Sequence, residues 1–425
     1  MTTNSPLLNR VLNHVDEKDI VGLASDLIRI PSFKPDETPV ATFLAEFFRS
    51  RDYRVELQEV EPGRFQTIAT LPGTGGGKSL MLNGHTDINS LGRRWKRDPW
   101  TPTVEGDRLY GHGVQNMKGG LASIIIAAEA VRQSGVSRRG DLVVACVVGE
   151  TQGGEGTYHL METGFRTDMA VVAEPFGLGN LATVHAGIVH MAIHTYGVTG
   201  HIRETEGPVN AVLKMTKIID RLQSVEFTHE PRADMPLLPR LNVGSIIGGI
   251  GSEYVLVEPP YIPDLCTIMV DVHFVPGQTV ESIVTDIRRD LDPLSEDDSD
   301  LRYDIEIPVP SSFKGGRRLV MDPLDVPIDE YIVQAVARNH ELVTGNPPNI
   351  IGSVLPSAYS ANDTCHLWNA GIPCLIYGPG VVRGNEEEDD SYAIISEMVA
   401  CAKVLAVTAI DVCNLDKLTG YEDVS

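Results

Sequence analysis

The 425-residue chain is short of positive charge: 35 Lys and Arg stand against 58 Asp and Glu, a formal net charge of -23. Nucleic acid and anionic membrane both repel such a surface, so neither is expected as a partner, and the plainest use of the charge is solubility. Cysteine is sparse and forms no CxxC pair. The six residues Cys146, Cys266, Cys365, Cys374, Cys401 and Cys413 are scattered, most of them in apolar runs such as "LVVACVVG". That pattern points to reduced core residues in a cytoplasmic protein. No uninterrupted apolar run approaches the length of a membrane span. The opening "MTTNSPLLNRVLNHVDEKD" lacks a basic stretch followed by an apolar one, so a secretory signal is not expected. Internal repeats are missing, and "EEEDDS" at 386–391 is the only low-complexity patch.

What is present is the composition of a globular protein, 42% hydrophobic and 22% charged. The length exceeds one compact core, which predicts two domains. In the first half, helical spacing in "DIVGLASDLIRI", "PVATFLAEFFRSRD" and "GGLASIIIAAEAVRQSG" alternates with strand-like "SLMLNGHTD", "GDLVVACVVGE" and "DMAVVAEP". This predicts an α/β domain, a mixed sheet with helices on both faces, whose chemistry gathers at the carboxyl ends of the strands. From about residue 188 the texture changes. Strand-like "IVHMAIHTYGV", helical "VNAVLKMTKIIDRLQ", strand-like "LCTIMVDVHFVPG", helical "TVESIVTDIRRDLD" and a closing "YDIEIPV" predict a small inserted α+β, ferredoxin-like domain. The α/β texture then resumes with "DEYIVQAVARNHELVTG", "IPCLIYGPG" and "SEMVACAKVLAVTAIDV". The expected boundaries are 1–187 and 313–425 for the larger domain and 188–312 for the insert.

Chemistry-bearing residues recur just past the strand ends. A lone histidine after a strand is usually structural, but an ordered series is not. "NGHTD", "GHGVQNMKGG", "VVGETQGGEGT" and "VVAEP" each follow a strand-like segment, and "VTGHIRETEGPVNA" and "NAGIPCLIYGPG" come later. Over nearly the whole chain this series resembles the M20 metallopeptidases and their amidohydrolase relatives, which include aminoacylases and acetylornithine deacetylase. Members of that family typically hold two zinc-type ions. The resemblance implies that His85 and Glu174 are ligands of one ion, with Asp87 behind His85 fixing its imidazole. It makes Glu150 the general base, which takes a proton from activated water and later delivers it to the leaving nitrogen.

The departures from the family pattern all fall on the second ion. Asn116 stands where the bridging Asp belongs and offers only a neutral amide oxygen. Thr151 replaces a Glu ligand, and the histidine expected after "GPG" gives way to "VVRGNEEEDD", with Asn385 or Glu386 nearest its place. The resemblance therefore implies a site rebuilt for one divalent transition metal per chain, Mn, Fe, Co or Zn. His201 in "TGH" matches a family histidine that reaches a neighbouring subunit's site and stabilises the developing oxyanion, which implies a homodimer or higher homo-oligomer and a lid and dimerisation role for the insert. Arg203 and Arg383 are candidates to hold a substrate carboxylate. His273 stands where the family often has Arg.

With half the metal set gone, a reaction that needs only one Lewis acid leads the expectations. One branch of the family displaces an amino group from an electron-poor ring, so the leading expectation is deamination of an activated aryl amine, 5-nitroanthranilate to 5-nitrosalicylate plus ammonia. Two alternatives stand beside it: an N-acyl-amino-acid deacylase or aminopeptidase of the same family, and a catalytically silent protein that binds a small molecule.

Overall fold

A computed structural model describes residues 6–255, 260–307, 319–380 and 390–417. The chain divides into two compact units: Met1–Val184 with Asp325–Ser357 and Asn362–Ser425, and His185–Leu324 with Ala358–Ala361. The second unit thus opens three residues before the boundary expected at 188 and closes twelve after the one expected at 312. The short strand Val320–Met321 explains the later end, because it pairs antiparallel with Val189 and Ile188 of the long strand Gly187–Tyr196. Two residues of strand carry no periodicity that a sequence pattern can show.

In the first unit the strands Arg54–Glu61 and Arg64–Leu71 form an antiparallel hairpin at one side of a mixed sheet. Next in order come Leu142–Val147, Leu80–His85, Met169–Val172 and Cys374–Ile376. These four neighbours run parallel to one another. Every residue of "LVVACV", "LMLNGH" and "MAVV" is buried, as strands covered on both faces must be. Parallel strands put their carboxyl ends on one edge of the sheet, so whatever follows Val147, His85 and Val172 converges there.

The helix Gly119–Ser134 has no polar face to offer: "LASIIIAAEAV" is buried all round. It packs against the equally apolar Ile395–Cys413 and against the strand Leu80–His85. Its second residue, Gly120, lies so close to the end of Met169–Val172 that a Cβ there would overlap the carbonyl oxygen of Ala173. No helix of the described residues is long and apolar enough to cross a membrane.

The second unit has the βαββαβ order of a ferredoxin-like fold. Strand Gly187–Tyr196, helix Ala211–Leu222, strands Arg240–Gly249 and Leu265–Phe274, helix Val280–Asp297 and strand Arg302–Glu306 follow in sequence. They form an antiparallel sheet in which Leu265–Phe274 and Gly187–Tyr196 are central and Arg240–Gly249 is at the edge. Alternate residues Val189, Met191, Ile193, Val270, Val272 and Phe274 pack with Met215, Ile218, Ile283, Ile287 and Leu291 of the two helices. Asn210 caps the first helix through Leu213 N, and Thr279 and Ser282 form a reciprocal capping box at the second. The strand Arg240–Gly249 escapes the sequence pattern because its residues are mostly exposed on both faces, as an edge strand allows.

The tight approach of Gly120 to Ala173, the residue before Glu174, gives a test of how the sheet edge is built. Gly120→Ala should destabilise the protein by about 1–3 kcal/mol, the usual cost of forcing an extra methyl into a packed interior, despite alanine's better helix propensity. A denaturant midpoint equal to or above wild type would show that the helix has room to move.

Candidate metal centre

Three of the strand ends each deliver one side chain to the same point. His85 is the last residue of Leu80–His85, Glu150 follows Leu142–Val147, and Glu174 follows Met169–Val172. All three are buried, and one ligand atom of each lies within 4.8 Å of the others, an arrangement that fits a metal ion. The imidazole Nε2 of His85 is 3.4 Å from Glu174 Oε1, 3.9 Å from Glu150 Oε2 and 3.0 Å from Asn116 Oδ1. Glu174 Oε1 is buried with no hydrogen-bond partner among the described residues. An orphaned carboxylate oxygen facing an imidazole nitrogen is what a ligand set lacking its ion looks like. One nitrogen with several oxygens suits a divalent transition metal.

The orientation of His85 comes from behind. Its Nδ1 donates to the backbone carbonyl of Asp87 at 2.9 Å, with the Asp87 carboxylate at 3.4 Å. With the proton on Nδ1, the Nε2 lone pair is free to face an ion. The Asp87 carboxylate has a second attachment that the sequence did not suggest. It accepts from the backbone nitrogens of Glu150 and Thr151, both at 3.1 Å, and from the Thr151 hydroxyl at 2.7 Å. Thr151 therefore serves Asp87 in this structure, and its position in place of a family ligand does not make it one.

Asn116 lies in the loop that precedes helix Gly119–Ser134, where its backbone leaves the helical region at φ -121°, ψ 100°. Gly113, at φ 74°, makes the turn into this loop. The loop is tied down at its far end by Lys118, whose buried Nζ donates to the carbonyls of Leu27 and Ile30, both at 2.8 Å. Burial pulls that ammonium group down to about 7.

Electrostatically the centre is a crowd of buried acids around one imidazole. Burial pushes the Glu150 carboxyl well above its usual range, and the charge of Glu174 adds to the shift. Glu174 is raised by burial too, with His85 pulling the other way. Burial alone lowers His85, yet the charges of Asp87 and Glu174 outweigh it and hold the imidazole well above its usual value.

A further acid, Asp363, was not among the residues singled out from the sequence. It is fully buried, neither of its oxygens has a hydrogen-bond partner among the described residues, and burial pushes it up to about 7. It stands at the N-cap position of the helix Thr364–Asn369, yet makes no capping bond. "SANDTCH" reads as an ordinary helix start, so nothing in its pattern singles out Asp363.

Among the other candidates, His201 and Arg203 belong to the second unit, in a turn where Arg203 N donates to His201 Nδ1 at 3.2 Å and Tyr261 packs edge-on against the imidazole. His273 is in the same unit, between the carbonyl of Tyr359 and the carboxylate of Asp271. Arg383, Asn385 and Glu386 lie outside the described residues. All six cysteines are buried.

The chain is similar to known proteins along most of its length. The model of peptidase family M20/M25/M40 matches residues 81–411. A deformylase of N-formyl-4-amino-5-aminomethyl-2-methylpyrimidine from Bacillus subtilis is 27% identical over 97% of this chain and 98% of its own length. Acetylornithine deacetylase from Proteus mirabilis is 28% identical over 87% of this chain and 91% of its own. Among solved structures, the dipeptidase Dug1p of Saccharomyces cerevisiae superposes with a TM-score of 0.72 at 14% identity, covering 97% of this chain and 99% of that one.

The charges of Asp87 and Glu174 raise the affinity of His85 for a proton, which competes with an ion for the imidazole, so divalent metal affinity should rise with pH and binding should release protons. Titration calorimetry in buffers of different ionisation enthalpy measures this directly. About one ion per chain is expected, as one intact ligand set implies, and it should be lost in His85→Ala. Binding that is independent of pH would contradict the protonation described here.

Proposed function

Since the chain belongs to peptidase family M20/M25/M40, a family of metal-dependent hydrolases of carbon–nitrogen bonds, we propose that it cleaves the amide of a small N-acyl amine, releasing a short acid such as formate or acetate. The observation that carries this reading is the convergence of His85, Glu150 and Glu174 on one point, in a chain that matches a deformylase over nearly its full length. Deamination of an activated aryl amine, the leading expectation from the half-kept metal set, gives way to amide hydrolysis: the relatives named above are a deformylase, a deacetylase and a dipeptidase. The loss of second-ion ligands thus does not by itself select a different reaction.

In this reading His85 and Glu174 hold the ion, with Asn116 contributing its amide oxygen, and Mn, Fe, Co and Zn all suit the donor set. When bound, such an ion acidifies water and polarises a carbonyl. The chain's own residues do the rest. Asp87 keeps the Nδ1 proton of His85 in place through its carbonyl and fixes the backbone of Glu150 through its carboxylate. Glu150, whose burial raises its affinity for a proton, takes one proton from water as the oxygen adds to the acyl carbon. It returns that proton to nitrogen as the C–N bond breaks, so one carboxylate balances both halves of the reaction. His201 is assigned the oxyanion role in a neighbouring subunit of a homodimer, and Arg203 and Arg383 remain candidates for a substrate carboxylate.

A panel of N-formyl and N-acetyl amines, assayed for released acid with nitroanthranilates alongside, tests the reading. Formate or acetate release with no ammonia from the ring substrates is expected; the reverse result would restore aryl-amine deamination. Glu150→Gln should keep its ion and lose about 10²–10⁴-fold in kcat, the usual worth of general acid–base catalysis. Full turnover in that variant would remove Glu150 from the mechanism.

A further inference from the structure

The turn that carries Glu150 is soft by composition. Gly149, Gly153 and Gly154 lie at φ 68°, 105° and 68°, all in the left-handed region. Glycine gives up the most conformational freedom when fixed, so such a turn does not hold its shape unaided. A general base must nevertheless stay within about half an ångström of its working position. Asp87 grips only the first half of the turn, through Glu150 and Thr151.

The second half is gripped by Arg64, the first residue of the strand Arg64–Leu71. Its side chain is 3% exposed. One edge of the guanidinium is anchored on the fully buried Glu37: Nε donates to Oε2 at 2.9 Å and Nη2 to Oε1. The remaining donors reach the turn, Nη1 to Glu155 Oε2 at 2.6 Å and Nη2 to Gln152 Oε1 at 3.1 Å. Nη1 also meets the half-exposed Glu61 at 3.2 Å. A Cβ on Gly149 would lie 2.8 Å from Nη2, so the guanidinium sits against the residue that precedes Glu150. Two residues along the same strand, Gln66 accepts from Val148 N at 3.3 Å and donates to the Gly156 carbonyl at 3.0 Å, which closes the segment on either side of the turn.

We propose that Arg64 is the positioning residue for Glu150: anchored on Glu37, its guanidinium fixes Gln152 and Glu155 and so holds the Glu150 carboxylate at the edge of His85. Only a planar fork spans these acceptors at once, and a lysine ammonium, a point charge on a flexible stem, does not. The proposal rests on the assignment of Glu150 as the base.

Removing Arg64 outright leaves Glu37 buried without its partner and endangers the fold. The test therefore cuts the contacts on the turn side and keeps the Arg64–Glu37 pair. Full-length Gln152→Ala/Glu155→Ala protein, loaded with Mn, is compared with wild type and with Glu155→Gln, which retains an oxygen acceptor. Hydrogen exchange of amides in 149–156 should quicken. The kcat should fall about 10- to 100-fold, as small misplacements of catalytic groups do, while KM stays within about two-fold and the ion is retained. Glu155→Gln should keep about half or more of the wild-type kcat, because its acceptor survives. Unchanged kcat in the double variant, or kcat lost only together with the ion, would overturn the proposal. Glu150→Gln in the same assay separates the two claims. Turnover there removes the base assignment, whereas an inactive Glu150→Gln beside a fully active double variant overturns the role of Arg64 alone.

Discussion

The Asp87 carboxylate is the joint on which the centre depends. One residue of chain connects it to the strand end that carries His85, and three hydrogen bonds connect it to Glu150 and Thr151. The same residue's carbonyl sets the proton on His85 Nδ1. Two parallel strands that merely lie side by side leave their following loops free to diverge. Asp87 ties those loops together, its carbonyl orienting the His85 ring and its carboxylate holding the backbone of Glu150 and Thr151. Its position explains why it remains charged: burial disfavours the anion, but His85 and the donors of Thr151 hold its carboxyl far below the usual carboxylate range.

Around that joint the fold gathers carboxyl groups in its interior. Asp87, Glu150, Glu174 and Asp363 are all buried, and His85 is the cationic partner that acts on each of them. Ionised acids crowded in a poorly hydrated interior repel strongly unless protons or a cation intervene. His85 and Glu174 would hold a divalent ion here, and its two positive charges would offset those of the acids. In the proposed mechanism the raised affinity of Glu150 for protons suits a base that must also return its proton.

Much of this was legible in the sequence because strand ends are legible. "LMLNGH", "LVVACV" and "MAVV" are apolar runs that stop abruptly, and His85, Glu150 and Glu174 lie just past the stops. The ferredoxin-like insert announced itself through alternation in Gly187–Tyr196 and Leu265–Phe274 and through two amphipathic helices. Other features left no local signal. Asp363 has the spacing of a helix cap, and the two-residue strand Val320–Met321 shows no period. Arg64 looks like any charged residue at the start of a strand, since what distinguishes it is contact with Glu37, Gln152 and Glu155, far away in the chain. For Thr151 the motif suggested only a lost ligand and gave no hint that its hydroxyl completes the hold of Asp87 on the turn.

In the proposed mechanism the chain works with one ion, held by His85 and Glu174, with Glu150 left to carry the proton. Anomalous diffraction at the metal edge, from crystals of protein saturated with Mn or Zn, tests it most directly. One peak per chain is expected, at about 2.0–2.2 Å from His85 Nε2 and from a Glu174 oxygen, the usual bond lengths of such ligands. Two peaks about 3.5–4 Å apart, the spacing of two-metal hydrolytic sites, would contradict it.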